Sequence, residues 1–465
     1  MSRVGARAVV LGASMGGLFA AAVLADFYRT VTVVERDVLP GGPSHRRGVP
    51  QGRHVHALLS SGSKALGELF PGLLDDLVAG GANVLEGDLS NVFVRFDGYE
   101  LDRSGRFADP GALITYVASR PFLEGHVRNR LRAVSNVEIL DGHDAVELIA
   151  AQPHRVTGVR VANRDDGTEQ VLGADLVIDA LGRGARTPAF LDKLGYGRPP
   201  EERIVVRVGY ASQLLRVPPG TLTEKLILIG SLPERPTGGA LFAYENDTWM
   251  VTLAGLSGHE PPADRAGMLH FAENFAPAPM MAALRAAEPL SEVCHYRYRA
   301  SQWRRYDKMR RFPAGLLVLG DAICSFNPVY GQGMSVAALQ AVALRDCLRR
   351  GGDDLSRRFF RAAARPIGAA WQLAAGADLA LPQVQGRRSV AIRVGNWYIE
   401  RVLAAAQSDT VVTERFFRVM NLVDPPARLL LPSVIMRVAT GSRRRIERNK
   451  SVQWTSATSR FAAPH

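Results

Sequence analysis

Apolar and polar positions in the first 80 residues follow strand and helix periods in turn. An apolar run at residues 8–11 leads into a helical pattern of small residues, and a second apolar run ends at residue 34. Strand, helix and strand in this order predict a parallel sheet with helices packed against it. The opening of the chain therefore indicates an α/β protein.

The turn after the first predicted strand carries a glycine motif. The sequence runs Gly12, Ala13, Ser14, Met15, and is followed by Gly16 and Gly17 at the start of the helical pattern. Backbone N–H groups at such a helix N-terminus can hold a pyrophosphate, as in Rossmann-like folds. Ser14 stands where the usual fingerprint has its middle glycine, and its small side chain keeps the approach close.

An acidic residue follows this turn at the spacing of a dinucleotide site. Glu35 comes 23 residues after Gly12, at the end of the second apolar run, and Arg36 follows it. A carboxylate at this place can bind ribose hydroxyls. We therefore include Gly12, Glu35 and Arg36 in one predicted cofactor site.

A second motif lies nearly three hundred residues further on. An apolar strand pattern at residues 315–319 ends in Gly320 and Asp321, and a glycine-rich loop then opens another helix. This arrangement offers a carboxylate for a ribityl hydroxyl and bare backbone for the edge of a flavin. The loop residues included in the predicted site are Pro328, Gly331, Gly333 and Met334.

Together the two motifs resemble those of the single-component FAD monooxygenases of the aromatic-hydroxylase type. In that family a Gly-Asp motif closes the FAD site that begins near the N-terminus. An arginine in the position of Arg120, within the segment 119–124, reaches the ribityl and phosphate region of the flavin. The resemblance therefore implies FAD as cofactor, with Arg120 and Asp321 among its contacts.

The segment 46–59 narrows the resemblance. It is similar to the corresponding segment of bacterial polyketide epoxidases that prepare polyether antibiotics and of related FAD monooxygenases of secondary metabolism. Its glycine- and proline-rich part can lay Arg46 beside the flavin and pyrophosphate. His54 and His56 have no acidic or cysteine partner at ligand spacing, so we expect polar packing beside the flavin rather than a metal site.

The resemblance implies oxygen insertion, most specifically alkene epoxidation, into a lipophilic polyketide-type intermediate through a flavin C4a-hydroperoxide. This chemistry is carried by the flavin, so no catalytic side chain is identified; the Pro328 loop is expected near the flavin edge. A redox-neutral [4+2] cyclase that keeps FAD as a structural element is the alternative. A flavin halogenase is rejected because the Gly-Trp-x-Trp-x-Ile-Pro segment is absent.

The electron source is left open. No second dinucleotide fold is evident, so NADPH in a transient complex or an external flavin reductase would supply electrons. Asp179 is followed by Ala180, where the family usually has Asp-Gly, and this departure puts the nicotinamide site in doubt. Asp179 could support the pyrophosphate loop or cap the following turn.

Element patterns along the chain predict a discontinuous domain organisation. Strand-like runs between residues 200 and 256, together with residues 84–108, predict a separate sheet over a substrate cavity. The sequence from residue 355 onward has a helical pattern. We expect a Rossmann-like FAD-binding domain, a β-sheet substrate domain and a helical C-terminal cap. Their predicted ranges are 1–83 with 109–185 and 305–355, 84–108 with 186–304, and 356–465.

Composition bears on the partners and the cellular location of the protein, and not on its reaction. The 465 residues carry a formal net charge of +12, spread along the chain except for a cluster at residues 443–450. No nucleic-acid motif accompanies the charge, so we expect no nucleic-acid partner. No apolar run reaches the roughly 20 residues of a membrane helix, and the three cysteines lack metal or redox spacing, so a cytoplasmic protein without stable membrane insertion is expected.

Overall fold

A computed structural model describes residues 3–152 and 154–441. The arginine-rich cluster at 443–450 lies outside the described residues. The described strands, in chain order, are β1 (Gly5–Leu11), β2 (Tyr28–Val34), β3 (Ala57–Leu58), β4 (Asn83–Glu86), β5 (Val92–Phe96), β6 (Tyr99–Glu100), β7 (Ile114–Val117), β8 (Val137–Leu140), β9 (His143–Gln152), β10 (Arg155–Asn163), β11 (Glu169–Gly173), β12 (Leu176–Asp179), β13 (Glu201–Arg216), β14 (Leu226–Ile229), β15 (Thr237–Ala243), β16 (Trp249–Leu256), β17 (Glu288–Pro289), β18 (Cys294–Arg304), β19 (Leu316–Val318) and β20 (Cys324–Ser325).

The described α-helices alternate with these strands and then continue beyond them. They are α1 (Met15–Ala25), α2 (Ser60–Leu69), α3 (Leu73–Ala79), α4 (Arg120–Arg132), α5 (Thr187–Lys193), α6 (Arg265–Glu273), α7 (Ala278–Ala286), α8 (Gly333–Leu348), α9 (Leu355–Ala380), α10 (Val390–Ala406) and α11 (Thr410–Met420). Residues 432–441 are also helical.

A parallel sheet forms the base of the molecule, in the order β19-β12-β1-β2-β8. Its strands read as apolar runs because helices cover them; all four residues of β12 are buried. The predicted α/β fold is confirmed. Since parallel strands end at the same edge, the turns after β1, β12 and β19 and the end of β2 come together there.

A larger sheet lies over that edge. It runs β20-β18-β13-β16-β15-β14-β5-β6, with β17 beside β13, and its pairs are antiparallel except β14 with β5. The predicted joining of residues 84–108 with the strands after residue 200 is confirmed for β5 and β6. Helices α6 and α7 cover one face with a core of their own.

Two smaller sheets and the C-terminal helices complete the fold. Strands β9, β10 and β11 form an antiparallel meander, and β3, β7 and β4 form a second small sheet. Between residues 355 and 441 the chain is mainly helical, as predicted, and residues 442–465 of the predicted cap lie outside the described residues. No helix in the described part of the chain is long and apolar enough to cross a membrane. The boundaries of the three domains stay a prediction.

Close packing between β1 and α1 depends on Gly17. A Cβ built on Gly17 would lie 1.8 Å from the carbonyl oxygen of Gly12, far inside van der Waals contact. Gly12 itself has φ of +97°, and a Cβ there would lie 2.8 Å from the carbonyl oxygen of Ala180. Helix α1 can therefore approach the strand ends only because both positions lack a side chain.

We predict that Gly17→Ala lowers the free energy of unfolding by about 1–3 kcal/mol or more, because the turn or the helix must shift to admit the methyl group. Gly41→Ala is the matched control, since a Cβ there meets nothing within 4 Å, and it should stay within about 0.5 kcal/mol of wild type. Urea denaturation of both variants measures the difference. Equal midpoints for the two variants would show that this contact does not constrain the fold.

Candidate active site

The turn after β1 places the first motif at the edge of the parallel sheet. Ser14 is the N-cap of α1, yet its side chain makes no capping bond; its Oγ instead accepts a hydrogen bond from a guanidinium nitrogen of Arg120 at 2.8 Å. A Cβ on Gly16 would lie 3.3 Å from a Leu319 methyl group and 3.7 Å from the Gly320 Cα. The two distant motifs are thus in contact across the N-terminus of α1.

Glu35 holds this turn through its carboxylate. Its Oε2 accepts a hydrogen bond from the Ala13 N–H at 2.7 Å, and its Oε1 accepts one from the Asp37 N–H at 3.0 Å. Glu35 is buried. Each carboxylate oxygen has two lone pairs. Oε2 also lies 3.3 Å from the Arg46 guanidinium, so Oε1 is the oxygen that retains capacity to accept from a hydroxyl donor.

Arg46 is surrounded by acidic side chains. Its Nε donates to Glu124 at 2.7 Å, its other nitrogens reach Asp37 at 3.1 Å and Glu35 at 3.3 Å, and it also donates to the Ala13 carbonyl at 3.1 Å. Burial opposes the charge of Arg46, but attraction to Glu124 and Glu35 outweighs burial and raises its pKa. The structure therefore places Arg46 in an ion-pair cluster beside the Gly12 turn; its predicted contact with a cofactor stays a prediction.

Arg120 and Arg36 differ in exposure. Arg120 is 5% exposed, pairs with Glu124 at 3.1 Å and lines the cavity described below. Arg36 also lines that cavity, but its side chain is 59% exposed and reaches Asp144 at 3.6 Å. Arg120 therefore has a fixed position toward the cavity, whereas Arg36 lies at its open side.

The Asp321 carboxylate has no hydrogen-bond donor among the described residues. Gly320, in the turn after β19, has φ of +71° and donates its N–H to the Gln340 side chain at 2.8 Å. No described residue donates a hydrogen bond to the Asp321 carboxylate, which is open to the cavity although protein surrounds it. Burial raises the pKa of Asp321, and the nearby guanidinium groups of Arg120 and Arg183 counteract that rise.

A network of buried hydrogen bonds holds the loop between β20 and α8 in place. Asn327 accepts a hydrogen bond from the Tyr210 hydroxyl at 2.5 Å and donates its amide to Asp378 at 2.9 Å. Asp378, on α9, also accepts from the Tyr330 hydroxyl at 2.8 Å. Gly331 then turns the chain with φ of +64° into α8.

One cavity of about 380 Å³ joins these elements. Among the predicted site residues, those lining it are Gly12, Ser14, Gly16, Glu35, Arg36, Arg46, Arg120, Gly320, Asp321, Pro328, Gly331, Gly333 and Met334. Ala13 and Gly17 do not line it: the N–H of Ala13 is bonded to Glu35, and Gly17 packs against Gly12.

The cavity has a charged part and an uncharged part. The sheet edge and α4 contribute arginines and carboxylates, whereas the residues contributed by the second sheet carry no charge. The latter are Tyr210, Leu228, Ile229, Gly239, Ala240, Thr252, Ala254, Tyr296 and Tyr298. The charged part can take a phosphate-bearing cofactor, and the uncharged part can take an apolar molecule.

Sequence reasoning missed several residues of this site. Arg183 lines the cavity and stacks over the Tyr298 ring at 4.4 Å, and Asp378 supports the loop from another helix. A lone acidic residue in the apolar stretch of α9 was the available signal for Asp378. Asp179, left open between two roles, caps the following turn: its carboxylate accepts from Thr187 and from the Leu181 N–H.

Metal ligation is not indicated by the histidines. His56 bonds through Nδ1 to the His54 carbonyl at 2.9 Å, and burial lowers the pKa of His56 to about 3. Within residues 3–152 and 154–441, no group of three or more His, Cys, Asp or Glu side chains could hold a metal ion.

Comparison with known proteins places the chain in a family. No protein-family model matches it. It is 37% identical over 441 residues to Protein Rv3254 of Mycobacterium tuberculosis, and the match covers 92% of this chain and 91% of that protein. The chain belongs to the Rv3254 family.

Solved structures of low identity share the fold. PqsL of Pseudomonas aeruginosa, a probable FAD-dependent monooxygenase, has a TM-score of 0.62 at 18% identity, covering 85% of this chain and 100% of its own. The p-nitrophenol 4-monooxygenase PnpA of Pseudomonas putida has a TM-score of 0.64 at 17% identity, and the match covers 91% of this chain and 99% of PnpA. The flavin-dependent brominase Bmp2 has a TM-score of 0.63 at 13% identity, and the match covers 96% of this chain and 100% of Bmp2. This member of the Rv3254 family therefore has the fold of flavin monooxygenases.

We predict that Asp378 makes stability depend on pH. Burial raises its pKa from 3.8 to about 6, so the folded chain binds this proton more tightly than the unfolded chain does. The resulting stabilisation is complete below about pH 4 and is lost as pH rises through 6. Asp378→Asn keeps an acceptor for Asn327 and Tyr330 but does not titrate, so the variant should gain up to about 3 kcal/mol on wild type between pH 4 and pH 8.

Calorimetric melting of both proteins across that pH range measures the gain. Asp353→Asn, at an exposed position, is the control and should show no such trend. A difference between Asp378→Asn and wild type that stays constant with pH would contradict the prediction.

Proposed function

We propose that this chain is a FAD-dependent monooxygenase that inserts oxygen into a lipophilic substrate. The observation that carries the proposal is the single cavity in which the Gly12 turn, Glu35, Arg120, Asp321 and the Pro328 loop meet. The flavin-monooxygenase fold of its structural neighbours supports the same conclusion.

The residues at the cavity fit FAD part by part. The N-terminus of α1 offers backbone N–H groups for a pyrophosphate. Glu35 has remaining acceptor capacity for ribose hydroxyls, and the Asp321 carboxylate has no donor among the described residues. Arg120, fixed by Ser14 and Glu124, would meet phosphate or ribityl oxygens. Pro328 and the glycines after it leave bare backbone for the flavin edge.

Bound FAD would supply the oxygen-activating chemistry. The chain's own part is to position the substrate and to keep water away from it. Val55, Leu228, Ala240, Ala254 and Phe326 contribute an apolar lining, which excludes ordered water because it offers no polar partners.

For the substrate, we propose an unsaturated polyketide-type intermediate and alkene epoxidation. The uncharged lining supplied by the second sheet supports a lipophilic substrate. Epoxidation and polyketide chemistry follow from the resemblance of segment 46–59 to polyketide epoxidases. Electrons would come from NADPH or a separate reductase, and the protein would work in the cytoplasm.

We predict that purified protein retains FAD without a covalent bond and that Asp321→Ala weakens this retention. Loss of a hydrogen bond to a charged acceptor costs about 1.5–3 kcal/mol, so the Kd for FAD should rise about 10- to 140-fold. Equilibrium titration of deflavinated protein with FAD measures Kd, and Asp353→Ala serves as the control. Wild-type protein that takes up no added FAD would overturn the proposed function.

The reaction is tested with a polyene polyketide, FAD-loaded protein, and NADPH or an external reductase under oxygen. We predict a product sixteen mass units heavier, whose formation requires oxygen and reductant. The same mixture without oxygen or reductant is the control. Isomerisation at unchanged mass in that control would overturn oxygen insertion and favour a redox-neutral [4+2] cyclase.

A further inference from the structure

His54 occupies the boundary between the two parts of the cavity. It follows the short 3₁₀ turn Pro50–Arg53, is 6% exposed, and lines the cavity. Its ring centroid lies 5.7 Å from that of Tyr210 and 5.5 Å from that of Tyr296. These contacts fix the plane of the imidazole, so its two nitrogens have defined surroundings.

The Nδ1 side of the ring ends a chain of hydroxyl groups. Nδ1 lies 2.7 Å from the Ser212 Oγ, which lies 2.6 Å from the Thr252 Oγ1. Ser212 and Thr252 are directly opposite each other on β13 and β16. The N–H of Val55 donates to the Thr252 Oγ1 at 2.9 Å.

The proton direction along this chain follows from counting donors and acceptors. Ser212 Oγ is the only acceptor that the described residues offer to the Thr252 hydroxyl proton. If Thr252 donates to Ser212, Ser212 donates to Nδ1 of His54, and every hydroxyl proton has a partner. The opposite direction leaves the hydroxyl proton of Thr252, a residue that is 5% exposed, with no acceptor among the described residues, and native structures avoid such unpaired polar groups. This count of donors and acceptors assigns the proton of the neutral His54 ring to Nε2.

The Nε2 side of the ring is open. No described residue forms a hydrogen bond with Nε2, and this atom is not among the buried side-chain atoms sealed off without a partner. Since His54 lines the cavity, an N–H donor is presented to whatever fills it. Burial, assisted by repulsion from His295, lowers the pKa of His54 to about 4, so the ring is neutral at physiological pH.

We propose that the Nε2–H of His54 is the donor by which this cavity selects an otherwise apolar substrate that carries a carbonyl or enolate oxygen. The inference rests on the proposed function, because it takes the uncharged part of the cavity as the substrate site. A neutral donor suits that part, where the neighbouring Tyr210 hydroxyl is already committed to Asn327. A hydrocarbon without an acceptor would leave Nε2–H unpaired and bind less tightly.

The test compares the binding of two probes of nearly equal shape, 2-acetylnaphthalene and 2-isopropenylnaphthalene, to FAD-loaded protein. The first carries a carbonyl oxygen where the second carries a methylene group. Perturbation of the flavin absorbance gives both Kd values. Wild type should bind the ketone about 10-fold more tightly than the alkene. His54→Phe keeps the ring packing but has no donor, so it should bring the ratio close to one. His54→Gln, which restores an N–H donor, should recover part of it.

His295→Gln is the matched control, because it removes a neighbouring imidazole that is exposed and does not line the cavity; it should keep the wild-type ratio. A ratio near one in wild type, an unchanged ratio in His54→Phe, or failure of both probes to bind would overturn the inference. In each case the same sample still shows whether FAD is held. A protein that holds no FAD would contradict the proposed function, whereas a protein that holds FAD but gives one of these results would contradict only the inference about His54.

The tautomer is tested without any ligand by ¹⁵N-histidine NMR, with the His54 signals assigned by their absence in His54→Gln. We expect a protonated Nε2 and an unprotonated Nδ1 that do not titrate between pH 6 and pH 8. Ser212→Ala removes the donor to Nδ1 and should give a mixture of both tautomers. A protonated Nδ1 in wild type would overturn the proposal.

Discussion

Buried negative charge governs the construction of this site. Glu35, Asp37 and Glu124 are all buried and all lie within 3.3 Å of the Arg46 guanidinium. A carboxylate left unpaired in such a place would be strongly destabilising. The end of β2, the loop at residues 43–53 and helix α4 must therefore converge on one arginine. The Gly12 turn is tied to the same cluster, because Ala13 bonds to Glu35 through its N–H and to Arg46 through its carbonyl.

The second sheet adds what this cluster lacks. Its strands bring aromatic, aliphatic and hydroxyl side chains to the cavity without any charge. The two environments are close together in the chain. Arg46 lies in the charged cluster, yet eight residues later the His54 imidazole stays neutral among tyrosine rings and hydroxyl groups. Such a division suits a cofactor with a polyanionic end and a flat reactive end.

Local pattern was sufficient to predict the parallel sheet, because strands buried on both faces must be apolar. Strands β1 and β19 lie at the apolar runs of residues 8–11 and 315–319 from which they were predicted. The meeting of the Gly12 and Asp321 turns was also accessible, since both follow strands of one parallel sheet. By contrast, the link from Asn327 to Asp378 joins a loop to a helix 51 residues away, and no local period encodes such a pair. Strand β20 has only two residues and no periodicity of its own, so its pairing with β18 became apparent only in three dimensions.

The order of strands also has a consequence for how the protein is made. Strands β1, β2 and β8 come from the first 140 residues, whereas β19 joins the sheet edge with residues 316–318. At typical synthesis rates of about 5–20 residues per second, roughly 15 to 60 seconds separate the emergence of the Gly12 turn from that of Asp321. From the emergence of β12 (Leu176–Asp179) until that of β19, the nascent sheet exposes the edge of β12 that β19 later covers. A ligand that bridges both turns can therefore stabilise the chain only after residue 321 of 465 has emerged, and cannot act as a template for its earliest folding.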